Sequence, residues 1–348
     1  MALLTHSDMP AEWPITAAPS GGRDKQASTA FAAAGGSRLA AIVQDLFLSP
    51  DARLTEQERS LMTAMLHGLI ERIAVEIRAR LLPEAAASCD AGAPELIADL
   101  TRAGLVQDQA LVALLLRRAD VQRIASSGRG GRSTLQGWTA SQDADVAAAA
   151  MTLVAGRGRG RDRFGRVSLD LSDLSAPLAH GLVVAVAAAL GRRCQEPSDA
   201  EVADAAHDLL STLAELSSPE EMEMALVEAL GAEGRRAPGL LVSLAEEGDA
   251  PVLAAVLAAE ACIPSGEAWD ALLGGAESLA LLLRLAGVPR GEAAALLASA
   301  GPALGIGDPV RAIEAFDAMS AERVEEARAE LVLPSAYRNA RRIIARHG

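Results

Sequence analysis

Aromatic side chains are nearly missing from this chain: four Phe, three Trp and one Tyr among 348 residues, half of which are hydrophobic. Strands draw on aromatic and β-branched residues, whereas the apolar half here is rich in Ala and Leu, the strongest helix formers. That shortage argues against a sheet and predicts an all-α fold. Cysteine is also scarce. Cys89, Cys194 and Cys262 lie far apart with no CxxC pair, which excludes a disulfide-dense scaffold and fits three small core residues in a reducing compartment. Five histidines leave little for metal chemistry: His180 and His207 have no partner at ligand spacing, and His6 and His347 are terminal. No metal, cofactor or catalytic residue is expected. Lysine is confined to Lys25, so the basic side chains are otherwise Arg, a bias that a GC-rich genome produces together with Ala and Gly.

Long hydrophobic runs are missing as well. The longest, residues 178–190, falls short of the roughly 20 residues that a bilayer-spanning helix needs. It is expected to be a buried helix, and no membrane span is expected. The N-terminus lacks the basic-then-apolar pattern of a secretory signal. A cytoplasmic location follows as the expectation.

What the chain does carry is uneven charge. The net charge of −14 favours solubility and argues against bulk affinity for nucleic acid. Residues 117–166 nevertheless hold ten Arg against four Asp, while residues 167–337 hold nine Arg against 28 carboxylates. A basic island therefore sits between acidic blocks, and the last eleven residues are basic again.

Residues 1–36 mix Pro, paired Gly and Ser without periodicity and read as a disordered arm, with Trp13 as a candidate docking anchor. A first helix is expected before Leu48. A long second one over 55–82 opens on the capping pair Thr55 and Glu58. Met62, Leu66, Leu69, Ile73, Ile77 and Leu81 recur there at steps of three and four and form one stripe. A helical hairpin results, and Met62 with Leu69 are candidates for a dimer seam. Shorter helices are expected over 94–102, 106–117, 120–126 and 143–155, interrupted by glycine-arginine loops at 127–133 and 156–166. Beyond the second loop, Ser198 with Glu201 and Ser218 with Glu221 make capping boxes, and Pro238, Pro251, Pro264, Pro289 and Pro309 punctuate short Ala/Leu segments. Such segments read as stacked helical repeats. The expected organisation is an arm (1–36), a hairpin with short repeats (37–155), an Arg/Gly-rich linker (156–166) and a C-terminal helical domain (167–348).

The alternating glycines 156, 158 and 160 lack the strand-loop-helix setting and the spacing of a dinucleotide site. Arg117, Arg118, Arg123, Arg129, Arg132, Arg157, Arg159, Arg161, Arg163 and Arg166 could hold phosphate, with Trp138 and Phe164 available for stacking, or the two loops could dock on an acidic protein surface, including the chain's own C-terminal half. His67 on the hairpin could accept phosphate in a relay, but Gly68 follows it where an acidic residue is usual. The acidic pairs Glu220–Glu221, Glu246–Glu247 and Glu325–Glu326 read as helix starts or exposed faces rather than acid–base pairs. The tail residues Tyr337, Arg338, Arg341, Arg342 and Arg346 could meet a membrane or an acidic partner, with Ile343 and Ile344 as a weak anchor.

Three blocks carry a resemblance. They are residues 54–62 with 75–82, residues 163–174 with 188–192, and residues 239–249 with 285–289. In this order they resemble an uncharacterised family of proteobacterial helical-repeat proteins, a domain of unknown function, across most of residues 40–300. The chain departs from the pattern in its interrupted middle and at Val183 and Val184, where an aromatic pair is expected. The resemblance implies a HEAT-like α-solenoid and transfers no functional residue.

The combined expectation is an all-α protein with a helical hairpin, HEAT-like repeats and a second helical bundle. It would serve as a non-enzymatic adaptor or regulatory scaffold that binds a protein partner, and could form a homodimer. Charge is assigned to Arg157, Arg159, Arg161 and Arg163, and the partner site to a groove between the Arg-rich middle and the acidic half. Nucleic-acid binding through the Arg-Gly loops and a phosphorelay hairpin stand as alternatives.

Overall fold

Helix-forming composition is realised throughout. In a computed structural model, the described residues are 54–89, 91–128, 133–162, 165–331, 333, 337, 338, 340, 341 and 344; they contain helices and no strand beyond one isolated bridge between Arg161 and Val167. The arm, Trp13 and the helix expected before Leu48 lie outside them. The helices run in the order α1 (Glu56–Arg78), α2 (Pro83–Ala87), α3 (Ala93–Arg102), α4 (Gln109–Ser127), α5 (Thr134–Trp138), α6 (Ala144–Arg159), α7 (Ala176–Gly191), α8 (Asp199–Leu213) and α9 (Pro219–Ala229). They continue as α10 (Gly231–Arg235), α11 (Leu240–Glu247), α12 (Ala250–Ala261), α13 (Ser265–Leu273), α14 (Ala276–Leu285), α15 (Arg290–Ala300), α16 (Pro309–Ala318) and α17 (Ala321–Leu331).

Local chemistry sets most of these starts. The Ser198–Glu201 and Ser218–Glu221 capping boxes form as expected, each satisfying helix N–H groups that have no intrahelical partner. Asp108, Asp143, Asp249 and Asp308 accept from the first-turn amides of α4, α6, α12 and α16. Pro251, Pro264, Pro289 and Pro309 all stand at helix starts, where a missing N–H costs nothing. Two expected boundaries are corrected. Helices over 106–117 and 120–126 are one continuous α4, because the polar step Arg117-Arg118-Ala119-Asp120 turns toward a groove rather than ending the helix. Likewise α6 runs on through Gly156 and Gly158 to Arg159, so only the later part of the expected 156–166 linker is non-helical.

Glu56–Gly348 forms one unit with two large apolar cores, which the chain visits alternately, and a small third cluster of Ala261, Leu285 and Val324. The first core joins α1, α3, the first half of α4, α7 and α8. The second joins the end of α4, α5, α6, α9 and α11–α16. In α4, Leu111, Leu115 and Ala119 belong to the first core and Ile124 to the second. The expected division at 156–166 is therefore not the division between cores: α6, before that segment, packs on α9, after it. The run expected to be buried is α7, and Leu182, Val183, Val186 and Leu190 do lie in the first core. No single described helix is long and apolar enough to cross a membrane. The bent pair α12 and α13 passes a composition test, but nearly every residue of α12 is enclosed by protein.

The dimer seam is also corrected. Leu69 is 0% exposed and Met62 9%, because α3, α4, α7 and α8 of the same chain cover the stripe on α1. Neither residue has surface to offer a second copy. A third correction concerns the cysteines: Cys89 and Cys194, 105 residues apart, are joined by a disulfide within the first core, and Cys262 is the exposed free thiol. Spacing along the chain did not reveal that the end of α2 and the end of α7 meet.

Two glycines are required by backbone approach. A Cβ on Gly128 would lie 2.3 Å from the Glu247 carbonyl oxygen, and one on Gly248 would lie 2.7 Å from that of Ile124. Gly248 also has a φ of 74°, the left-handed region that glycine enters without strain. The end of α4 is thus seated directly on the turn between α11 and α12.

Two outcomes follow. Gly128→Ala and Gly248→Ala should each destabilise the chain by about 1–3 kcal/mol in chemical denaturation, since backbone cannot rotate away as a side chain can; unchanged midpoints would refute the close approach. Thiol titration of the denatured, unreduced protein should find one thiol per chain, and Cys89→Ser with Cys194→Ser should lower stability by about 2–4 kcal/mol. Three titratable thiols would contradict the bond.

Candidate functional site

The polar face of α4 borders an open groove of about 1110 Å³. One wall is α4 with the start of α7 and the end of α8; the other is the start of α9 with Pro251 and α13. First-core helices thus face second-core helices across it. Its apolar surface includes Leu114, Leu178 and Leu213, with Leu116 and Leu216 at 38% and 44% exposure.

Ion pairs hold the walls. Arg117 pairs with Glu220 at the start of α9 and lies over the Trp269 ring, 5.0 Å from its centroid. One side chain therefore ties α4 to both α9 and α13, combining charge pairing with cation–π attraction. Next to it, Arg118 pairs with Asp173 in the turn Leu171–Asp173. Burial pushes the Asp173 carboxyl up, and Arg118 opposes that shift. The turn is itself closed by reciprocal bonds between Asp170 and Asp173.

A smaller pocket of about 350 Å³ continues behind this groove and shares Arg118, Val121, Pro219, Glu223 and Pro251 with it. At its centre, Arg157 donates from both terminal nitrogens to Asp249, at 2.8 Å each, in a bidentate pair. Asp249 also accepts from the Val252 amide, so one carboxylate caps α12 and anchors α6. Glu223 stands 3.8 Å from the same guanidinium and is 7% exposed. Burial is the main cause that drives its carboxyl up to about 7; Arg157 works against the shift and Asp249 adds to it.

The four arginines chosen from the sequence separate. Arg157 reaches this centre, so part of the basic segment does dock on the acidic half of its own chain. Arg159 lies 3.9 Å from Asp170, and Arg161 donates to the Gly165 carbonyl at 2.9 Å while lining the smaller pocket. Arg163 and Phe164 lie outside the described residues. Trp138, expected to be available for stacking, packs against the second core. His67 is half-buried on α1. Of the acidic pairs, Glu220 and Glu221 open α9 as expected, while Glu247 crosses to accept from the Thr134 amide at the start of α5. In the tail, Arg338 is buried against Glu267 of α13, with Nη1 to Oε2 at 3.0 Å, and Arg341 pairs with Glu330 at 2.9 Å. Both act inside their own chain.

Sequence reasoning missed Glu223 and Trp269, and it read Arg117 and Arg118 only as charge for a phosphate rather than as ties between helices. For Glu223 a signal was present. It stands three and four residues before Leu226 and Val227, which places a carboxylate on the buried face of α9. No group of three or more metal-ligating side chains occurs among the described residues.

A family described as an uncharacterised protein conserved in bacteria, DUF2336, matches residues 125–334. The chain belongs to the DUF2336 family. The match starts near the end of α4 and runs to the end of α17, so it takes in the second core and the α9 and α13 wall of the groove. The resemblance read from residues 54–62 and 75–82 falls before the DUF2336 match, and those blocks lie in α1 and just beyond it. No curated protein and no solved structure matches the chain.

The buried carboxyl predicts a pH effect. A carboxyl held at about 7 in the folded state, against an ordinary value near ~4.3 when unfolded, binds more protons folded than unfolded between those values. Its contribution to stability is present at low pH and lost as pH rises through 7. Glu223→Gln should therefore gain stability relative to the parent by about 3 kcal/mol between pH 4 and pH 8. A difference independent of pH would show that Glu223 titrates normally.

Proposed function

We propose that the chain is a non-enzymatic protein-interaction module, an adaptor or scaffold built on repeat-like helical packing, whose groove receives an amphipathic helix of a protein partner. The observation that carries this reading is the groove itself. Its volume is comparable with roughly three turns of helix, ~16 Å long and ~10 Å across. Its leucine-rich walls suit the i, i+3, i+4, i+7 anchors of a helix laid in a groove. Carboxylates outnumber arginines along it, so a basic flank on the partner helix complements its charge.

Interaction through the Arg-Gly segments with nucleic acid draws less support, because Arg117, Arg118 and Arg157 are engaged with Glu220, Asp173 and Asp249. The cytoplasmic placement belongs to this proposal too. The Cys89–Cys194 bond is at odds with a strongly reducing compartment, and alkylation during cell lysis measures whether it persists there.

Panning a displayed library of 16-residue amphipathic helices against the chain tests the groove. Enriched peptides should share a helical apolar stripe with basic flanks, and Leu116→Asp should weaken them at least tenfold without changing the circular dichroism. Binders indifferent to Leu116→Asp and Leu216→Asp would overturn the reading.

A further inference from the structure

The charges around the junction of the two cavities do not balance. Three guanidinium groups face it, and each has a carboxylate of its own: Arg117 with Glu220, Arg118 with Asp173, and Arg157 with Asp249. Glu223 is a fourth carboxylate. It lines both the groove and the smaller pocket, yet among the described residues its ion pair is the long 3.8 Å approach to Arg157, whose two terminal nitrogens both donate to Asp249 at 2.8 Å. The helices packed around it bring Arg157 from α6, Arg117 and Arg118 from α4, and Asp249 from the α11–α12 turn. A carboxylate so enclosed and without a dedicated donor is costly, and a cation delivered with its own hydrogen bonds relieves that cost.

We propose that Glu223 is a recognition site for a basic side chain, a guanidinium or ammonium group, carried by the helix that occupies the groove. The proposal rests on the helix-in-groove reading for the source of the cation, and on the site's own geometry for its existence. The leucine walls accept the apolar stripe, and a basic residue beside that stripe reaches down to Glu223. Recognition then has a penalty built in, because a partner lacking the cation leaves the buried carboxylate uncompensated. Arrival of the cation also lowers the carboxyl's proton affinity, so complex formation releases a proton near neutral pH and tightens as pH rises.

A probe that needs no knowledge of the partner tests the site: n-butylguanidinium, with n-butylurea as its neutral isostere, added to full-length chain carrying ¹³C at the Glu side-chain carboxyls. The Glu223 resonance is assigned by its loss in Glu223→Gln. Butylguanidinium should shift that resonance saturably and lower its titration midpoint by about one unit, whereas butylurea at equal concentration should leave both unchanged. Glu223→Gln should remove saturable binding, with the other Glu signals in place as evidence of folding. Equal response to the two probes, or no response to either, overturns the site. The groove peptides supply the separating control. Equal affinity for parent and Glu223→Gln leaves the helix reading standing and refutes this one. Failure of all peptides alongside saturable butylguanidinium binding refutes the helix reading and keeps the cation site.

Discussion

Everything around the groove hangs on one carboxylate. Asp249 caps α12, the most enclosed helix of the second core, and binds both terminal nitrogens of Arg157 at the end of α6. Its neighbour Gly248 lets the backbone of α4 come within contact of the same turn. Three helices that are distant in sequence are therefore registered against a single corner. With that corner set, α4 presents Arg117 to the start of α9, in the second core, and Arg118 to the Leu171–Asp173 turn beside the first. A groove is what remains between two cores that share one helix and meet through charge.

Local signals were legible wherever short-range chemistry decides the outcome. Ser198 with Glu201, Ser218 with Glu221 and the prolines ahead of α12, α13, α15 and α16 mark helix starts because capping is settled within one turn. The apolar run that became α7 was too short to span a bilayer and too apolar to face water, which leaves the core. Glycine misled. Gly156 and Gly158 have weak helix propensity, but Gly156 sits against Met222, where a Cβ would meet the sulfur at 2.6 Å, and packing kept the helix going.

Pairings between distant residues were not legible. Nothing in the spacing of Cys89 and Cys194 indicates that α2 and α7 end side by side, and the stripe on α1 fits a partner subunit as well as it fits α3 and α7. The alternation between cores hides in the same way, since composition hardly changes as the chain passes from one to the other. Of the site, the basic segment and the acidic half were visible as opposites, and Arg157 was among the residues named. Its partner Asp249 figured only as the last residue of a resemblance block, and Glu223 only as one of the 28 carboxylates of the acidic half.

The DUF2336 match takes in the second core together with α7 and α8 of the first, with the α4 wall of the groove lying largely before the matched residues. A photo-crosslinking amino acid at position 116, with position 310 as an exposed control, addresses the proposed interaction in the native cell. The account predicts a single protein adduct from position 116, retained after nuclease treatment and lost from position 310. Adducts to nucleic acid, or the same products from both positions, would contradict it.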